Sequence, residues 1–289
     1  MPSPSVSFEV FPPATLPASF RLWEAMARLQ AFQPDYVSVT YGAQGSDQGR
    51  TLEAAQSLID QTGLPIAAHL TCARASKEEV LAQAGRFYDA GIRDIVALRG
   101  DGDAPGAPFA PHPNGFQSSI ELIEALASQN RFRIRVGAYP ECHPDAASPQ
   151  QNIDFLKAKL DAGAEEAITQ FFFEPQTFLR FRDACAKAGI DKQVTPGILP
   201  IANWAKVRRF AKACGASVPD WLDQAFDVAI RDDRADLLGL AVTTELCSKL
   251  VEEGVEHLHI YTLNSARLTE QLCVALGVEA HPVQLRNVA

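Results

Sequence analysis

Ionisable and hydrogen-bonding side chains recur in this sequence at one kind of place, the downstream end of a short β-rich run. Glu9 lies in Ser7-Phe8-Glu9-Val10-Phe11-Pro12-Pro13, a carboxylate inside an aromatic and aliphatic strand. Desolvation there disfavours the charged form and raises the pKa, which suits a general acid at neutral pH. The other reading is a structural carboxylate paired with a Lys or Arg. Equivalent strand ends carry Thr40, His69 with Thr71, Arg99-Gly100-Asp101, Tyr139 with Glu141 and His143, Gln170, and Tyr261 with Asn264. Gly100 lets backbone approach a ligand closely next to Asp101. Asp101 and Asp103 have the spacing of an Asp-x-Asp pair, but no Glu or His cluster completes a hard-cation cage, and Asp103 reads as a turn residue. His257 and His259 alternate on one strand and share a face; half-buried strand histidines are the first reading and metal binding the second. No metal site is expected. Phe171-Phe172-Phe173 reads as core packing, and no GxSxG elbow, P-loop or HExxH occurs.

The elements that must position these residues alternate. Strands are expected at Ser7–Phe11, Tyr36–Thr40, Ile66–Leu70, Asp94–Leu98, Ile134–Ala138, Glu166–Gln170, Gln193–Ile198 and His257–Tyr261. Amphipathic stretches such as Ser76–Ala90, Ser148–Ala162, Gln176–Ala188 and Arg234–Glu253 lie between them, the pattern of βαβ units and a parallel sheet. Gly63, Gly91, Gly163, Gly189 and Gly254 each stand where a helix should end in a left-handed residue. Eight strand–helix units imply an α/β fold, a single (β/α)8 TIM barrel over residues 1–289, with an extra helical insertion at Ala213–Asp233 before the last unit. A doubly wound sheet is the alternative, but its early Gly-rich turn, GxGxxG, is missing. In a barrel the strand ends above converge on one mouth, as a polar active site requires.

Composition bounds the partners. The chain has 289 residues, 47% hydrophobic and 21% charged, so disorder is excluded. Lys+Arg 26 against Asp+Glu 35 gives 26 − 35 = −9, which argues against nucleic acid. No run reaches the ~18 apolar residues of a membrane span. The N-terminus lacks the pattern of a signal peptide, and six widely spaced cysteines without a CxxC suit reduced thiols in the cytoplasm.

The motifs also carry a resemblance. Ser7–Pro13, Val37-Ser38-Val39-Thr40-Tyr41-Gly42-Ala43, Ala68-His69-Leu70-Thr71-Cys72, Ala97-Leu98-Arg99-Gly100-Asp101, Ala138-Tyr139-Pro140-Glu141, Ile168–Phe173, Pro196-Gly197-Ile198-Leu199-Pro200 and Tyr261-Thr262-Leu263-Asn264 resemble, in order, the blocks of the methylenetetrahydrofolate reductase family. The likeness is to the short bacterial form, a catalytic barrel without a regulatory domain. It implies reduction of 5,10-methylenetetrahydrofolate to 5-methyltetrahydrofolate, with NADH or NADPH reducing FAD and FAD the folate in ping-pong order. It also implies roles: Glu9 as general acid, Asp101 stabilising an iminium cation beside pterin and flavin, Gln170 orienting the folate, and Phe210 packing on folate or nicotinamide. Thr40, His69, Arg99, Gly100, Asp101, Tyr139, His143 and Lys159 match positions around FAD. A homo-oligomer, dimer or tetramer, is implied as well.

The chain departs from the family pattern at several positions. Phe116 stands where a flavin-contacting tyrosine is common, and Phe155 and Ala158 replace polar and basic residues directed at the adenosine end of FAD. Ser265 stands where a basic residue is frequent, with Arg267 two residues on. These changes leave open a flavin-free reductase passing hydride directly from NAD(P)H. A folate-binding barrel without catalysis is the reading from another class, and Glu9, Asp101 and Gln170 together argue against it.

Overall fold

Side chains along a strand alternate between two faces, and this chain sends its apolar set outward to helices and much of its polar set inward. The computed structural model describes residues 3–41, 48–100 and 109–282. Its strands are β1 (Ser5–Val10), β2 (Val37–Val39), β3 (Ile66–Thr71), β4 (Asp94–Leu98), β5 (Arg133–Ala138), β6 (Glu166–Thr169), β7 (Gln193–Thr195), β8 (Gly197–Ile198) and β9 (His257–Tyr261). All pairings are parallel, in the order β7-β6-β5-β4-β3-β2-β1-β9-β8. The helices are α1 (Leu16–Leu29), α2 (Gln48–Thr62), α3 (Lys77–Asp89), α4 (Ser119–Ala127), α5 (Pro149–Asp161), α6 (Pro175–Lys187), α7 (Trp204–Cys214), α8 (Asp220–Arg231), α9 (Ala235–Glu252) and α10 (Ala266–Ala275).

Strands β7 and β8 are two halves of one barrel stave, broken at Pro196, which has no N–H to give a ladder. The first half pairs with β6 and the second with β9, which closes the ring. At the break the Gly197 N–H donates to Thr169 Oγ1 at 2.9 Å and the Pro196 carbonyl accepts from His259 N at 3.1 Å. A Cβ on Gly197 would sit 2.1 Å from the Thr169 carbonyl oxygen and 2.7 Å from the Tyr261 hydroxyl, so only glycine fits. The eight expected strands are therefore present, the seventh in two pieces. The five helix-ending glycines all have positive φ, and at Gly163 a Cβ would also strike Ala127.

The main core lies between strands and helices, where Val6, Phe8 and Val10 of β1 meet Leu22 and Met26 of α1. Ordinary barrel interiors are layers of Val, Ile and Leu. Here Tyr36, Ala67, Val96 and Ile168 form a small apolar layer, and the rest is polar. Arg135 is fully buried, paired with Glu166 at 2.8 Å and with Asp94, while Thr195 donates to the other Glu166 oxygen at 2.7 Å. Such a buried pair is tolerable because its remaining lone pairs and protons are also bonded.

The insertion before the last unit is longer than its sequence suggests. It begins at Trp204, not Ala213, and comprises α7 and α8 ahead of α9. The buried stripe of α7 is only Trp204, Val207 and Ala211 among basic residues, a weak periodic signal. Trp204 stacks on Phe226 of α8 at 4.5 Å, and Phe171 and Phe173 complete that cluster, confirming the aromatic run as packing. No described helix is long and apolar enough to cross a membrane.

Candidate active site

Strand β1 places Glu9 between β2 and β9, in register with Ser38 and Tyr261. Its backbone carbonyl is held by Thr262, whose N–H and hydroxyl both donate to it, at 3.1 and 2.7 Å. One turn beyond, Asn264 clamps Phe11 in both directions: the Phe11 N–H donates to Oδ1 at 2.8 Å, and Nδ2 donates to the Phe11 carbonyl at 2.9 Å. Asn264 thus ties the exits of β1 and β9 together.

Around the carboxylate, His69 Nε2 lies 3.3 Å and His259 Nε2 3.7 Å from Oε2, and the Ser38 hydroxyl donates over 3.4 Å. His69 Nε2 is buried and meets the carboxylate as an ion-pair contact. The expectation that burial leaves Glu9 protonated is corrected by these neighbours. Burial does raise its pKa, but the two imidazoles at Oε2, His259 and His69, outweigh it and bring the carboxyl down to about 2. The desolvation was legible in the strand; the imidazoles arrive from β3 and β9.

A second region lies at the ends of β4 and β5 and along α5. A cavity of about 270 Å³ is lined by Arg99, Tyr139, His143, Asn152, Phe155 and Lys159, among others. Lys159 is buried, and burial alone lowers its pKa to about 8. Its ammonium donates to the Gly137 carbonyl and sits 5.4 Å from the Phe155 ring centre; no carboxylate among the described residues pairs with it. Arg99 is bonded to Asp145 at 2.7 Å, and His143 packs edge-on to Tyr139 at 4.5 Å. Burial and the nearby Arg99 depress the His143 pKa, favouring a neutral ring. Asn152 fixes this corner by donating to the Tyr139 carbonyl at 2.8 Å and accepting from His143 N at 3.2 Å.

The remaining expected residues distribute as follows. Thr40 stands at the exit of β2, where its carbonyl accepts from the Thr51 hydroxyl. Gly100 has φ +87 and no room for a Cβ, which would lie 2.7 Å from Ala73. Gln170 accepts from Phe171 N at 3.1 Å through its side-chain oxygen, and exposed Phe210 stacks on Phe171 at 5.2 Å. Glu141 is occupied in accepting from Ser217 N, and Tyr261 in donating to the Thr169 carbonyl. Asp101 and Asp103 lie outside the described residues. Thr40 and Gly100 do not line the cavity, whereas Arg99, Tyr139, His143 and Lys159 do.

Among the departures, Phe116 is buried in the main core and Arg267 is committed to Asp236 at 2.7 Å. Residues not singled out beforehand are Ser7, Ser38, Asp145 and Asn152. His257 and His259 do share a face, but their rings bond to Ser5, Ser7 and Asp35. No described cluster offers three metal-ligating groups.

With this geometry established, the chain's relatives can be compared. A sequence model described as methylenetetrahydrofolate reductase matches residues 2–277. The 5,10-methylenetetrahydrofolate reductase of Escherichia coli (strain K12) is 43% identical over 277 residues, covering 95% of this chain and 91% of that one. The Pectobacterium carotovorum enzyme of the same name is 41% identical over 275 residues, covering 95% and 90%. Among solved structures, a Clostridium thermocellum protein that binds two copies of 5-methyl-5,6,7,8-tetrahydrofolic acid superposes with TM-score 0.63 at 13% identity, over 96% of this chain and 95% of that one. Xanthomonas albilineans dihydropteroate synthase superposes with TM-score 0.52 at 17% identity, over 97% and 94%. At these identities the structural likeness speaks for the barrel fold alone.

Proposed function

The chain belongs to the methylenetetrahydrofolate reductase family and is an oxidoreductase of that kind; from that premise we propose that it forms 5-methyltetrahydrofolate from 5,10-methylenetetrahydrofolate with NAD(P)H and a non-covalent FAD, Glu9 serving as general acid. The observation that carries this reading is the pairing of a Glu9–His69–His259 cluster at the mouth with a cavity holding a buried, uncompensated lysine.

The residues present fit a flavin dinucleotide. Its phosphates are anions, and Lys159 is a desolvated cation without a carboxylate partner, the setting in which a charge-assisted hydrogen bond is strongest. The cavity of about 270 Å³ suits part of such a molecule, and Tyr139, His143 and Phe155 supply flat surfaces. Thr40, His69, Arg99, Gly100 and Asp101 complete the proposed flavin contacts. When bound, FAD would carry hydride from NAD(P)H to folate in two successive half-reactions, a ping-pong order.

The protein's own part is proton and charge placement. Glu9, ionised in the unliganded barrel, first takes up a proton and then delivers it to N10 of the folate as the bond from the bridging carbon to N10 breaks and its electron pair stays on N10. The cation left at N5 is an iminium, for which Asp101 is the proposed counter-charge. Gln170 would orient the pterin and Phe210 would pack on its flat face or on nicotinamide. The hydride then completes the methyl group. Six free thiols, four of them buried, support the cytoplasm as the compartment, and a dimer or tetramer is the proposed assembly.

The test is the visible spectrum of the purified protein, followed by anaerobic half-reactions with NADH, NADPH and the folate. A flavin spectrum bleached by a nicotinamide nucleotide and restored by the folate supports the reading. A colourless protein that still oxidises NAD(P)H with the folate selects direct transfer, and no turnover with added FAD selects a binding barrel.

A further inference from the structure

The reaction NAD(P)H + H⁺ + 5,10-methylenetetrahydrofolate → NAD(P)⁺ + 5-methyltetrahydrofolate takes up one proton per turnover, whichever route the hydride follows. That proton ends on N10, and Glu9, a carboxylate at rest, must be protonated before each folate reduction. The barrel interior offers a direction of supply.

From Glu9 a column of polar side chains runs down the inside of the barrel between β1 and β9. His259 Nε2 faces Glu9 Oε2 at 3.7 Å, with the Ser38 hydroxyl 3.5 Å from the imidazole and 3.4 Å from the carboxylate. His259 Nδ1 is 2.7 Å from Ser7 Oγ, and Ser7 Oγ is 2.8 Å from His257 Nε2. His257 Nδ1 lies 3.1 Å from Asp35 Oδ2 and 2.6 Å from Ser5 Oγ. His259 and Ser7 are fully buried, whereas the Asp35 side chain is 54% exposed at the opposite end of the barrel. Every member can both take and give a proton, and the two imidazoles use opposite ring nitrogens for their two neighbours.

We propose that Asp35, His257, Ser7, His259 and Ser38 form a relay through the barrel that brings a proton from solvent at its N-terminal end to Glu9 before each folate reduction. This rests on Glu9 being the general acid. A proton taken up at Asp35 passes to His257 Nδ1 while Nε2 releases one to Ser7; Ser7 passes one to His259 Nδ1, and His259 Nε2 gives one to Glu9, directly or through Ser38. The sum is one proton in at Asp35 and one on Glu9, with no oxidation or reduction.

The walls suit this use. Tyr36 stacks on both imidazoles, with ring centres at 6.1 and 5.7 Å, and Arg135 sits over Tyr36 at 3.8 Å. The charged neighbours of His257 are thus Asp35, Glu166 and Arg135, with His259 next along the column. Burial lowers the His257 pKa against the pull of Glu166 and Asp35, which favours the neutral ring.

The experiment compares Ser7→Ala, His257→Gln, their combination, and the surface variant Asp35→Asn in the full chain, in H₂O and D₂O, with NAD(P)H and 5,10-methylenetetrahydrofolate. A working relay predicts kcat for folate reduction lower by ~10-fold or more in the two buried variants, with NAD(P)H oxidation by an artificial acceptor unchanged. It also predicts a larger solvent isotope effect on kcat, partial rescue by imidazole, and a combined variant no slower than either single one, because a chain in series is broken once. Asp35→Asn, which leaves the core untouched, should show the same signature at smaller size. Parental kcat and isotope effect in all variants, or a multiplicative loss with no change of isotope effect, overturns the relay. Glu9→Gln separates the two readings: if it retains parental folate reduction, the acid assignment fails; if it loses folate reduction while the relay variants match the parent, only the relay fails.

Discussion

Around Glu9 the barrel supplies the partners of a buried charge from its own strands; around Lys159 it does not. The carboxylate has two imidazoles and a serine hydroxyl facing it, and its pKa falls to about 2 despite burial. The ammonium has one carbonyl and a ring face, and burial lowers its pKa to about 8. An uncompensated buried charge is costly, so the second arrangement suits the anionic ligand proposed for the cavity. In the proposed function the first arrangement serves proton transfer and the second holds an anionic ligand.

The sharpest way to break this division is Glu9→Gln. We expect folate reduction to fall by roughly 10²–10⁴-fold, while NAD(P)H oxidation by an artificial electron acceptor continues, measured as separate half-reactions. Equal losses in both would remove Glu9 from the proton step. Next in size is Lys159→Met, which should weaken FAD by about 10- to 100-fold, the worth of one charged hydrogen bond, in equilibrium dialysis. The flavin-free protein should melt no earlier than the parent, because the lost cation had no counter-charge to strand. Unchanged flavin affinity would assign Lys159 a purely structural role.

Both folded pKa values are depressed, so stability should rise with pH in both windows, through relief of a burial cost at Lys159 and through gain of paired charge at Glu9. The folded pKa of Lys159 lies below its ordinary 10.5, so between about 8 and 10.5 the unfolded chain binds more protons and stability rises with pH. Flavin affinity should fall through the same window as the ammonium discharges. For Glu9 the folded pKa is depressed from 4.5 to about 2, so its stabilisation is present above 4.5 and lost as pH drops through about 2. Chemical denaturation across both windows checks this, with Lys159→Met flattening the alkaline limb and Glu9→Gln the acid one. The smallest effect is expected from Asn264→Ala, which removes both bonds to Phe11. A loss of ~1–2 kcal/mol in unfolding free energy and a few-fold lower kcat would follow from a looser Glu9 strand.

The legible parts of the fold were those with local causes. Period-two strands and helix-ending glycines located all eight staves, and Ser76, Ser118 and Ser148 each cap a helix as short-range chemistry dictates. The insertion was misjudged at Trp204 because its three-residue apolar stripe is mostly completed by Phe171 and Phe226 from elsewhere. Within the site, the shared face of His257 and His259 was legible from alternation. That Ser7 and Glu9 form the opposing column was not, since the pairing joins residues about 250 apart in sequence.

The sequence by itself determined that this chain forms a barrel whose strand ends are polar, and its family motifs marked Glu9, Gln170 and Lys159 as residues of interest. Only the tertiary structure decided how Glu9 and Lys159 titrate. A strand shows how apolar a carboxylate's neighbours in the chain are, which is enough to know that it is desolvated. Whether it is then protonated or ionised depends on donors from other strands, and closing the ring brought His69, Ser38 and His259 to Glu9 while bringing no carboxylate to Lys159.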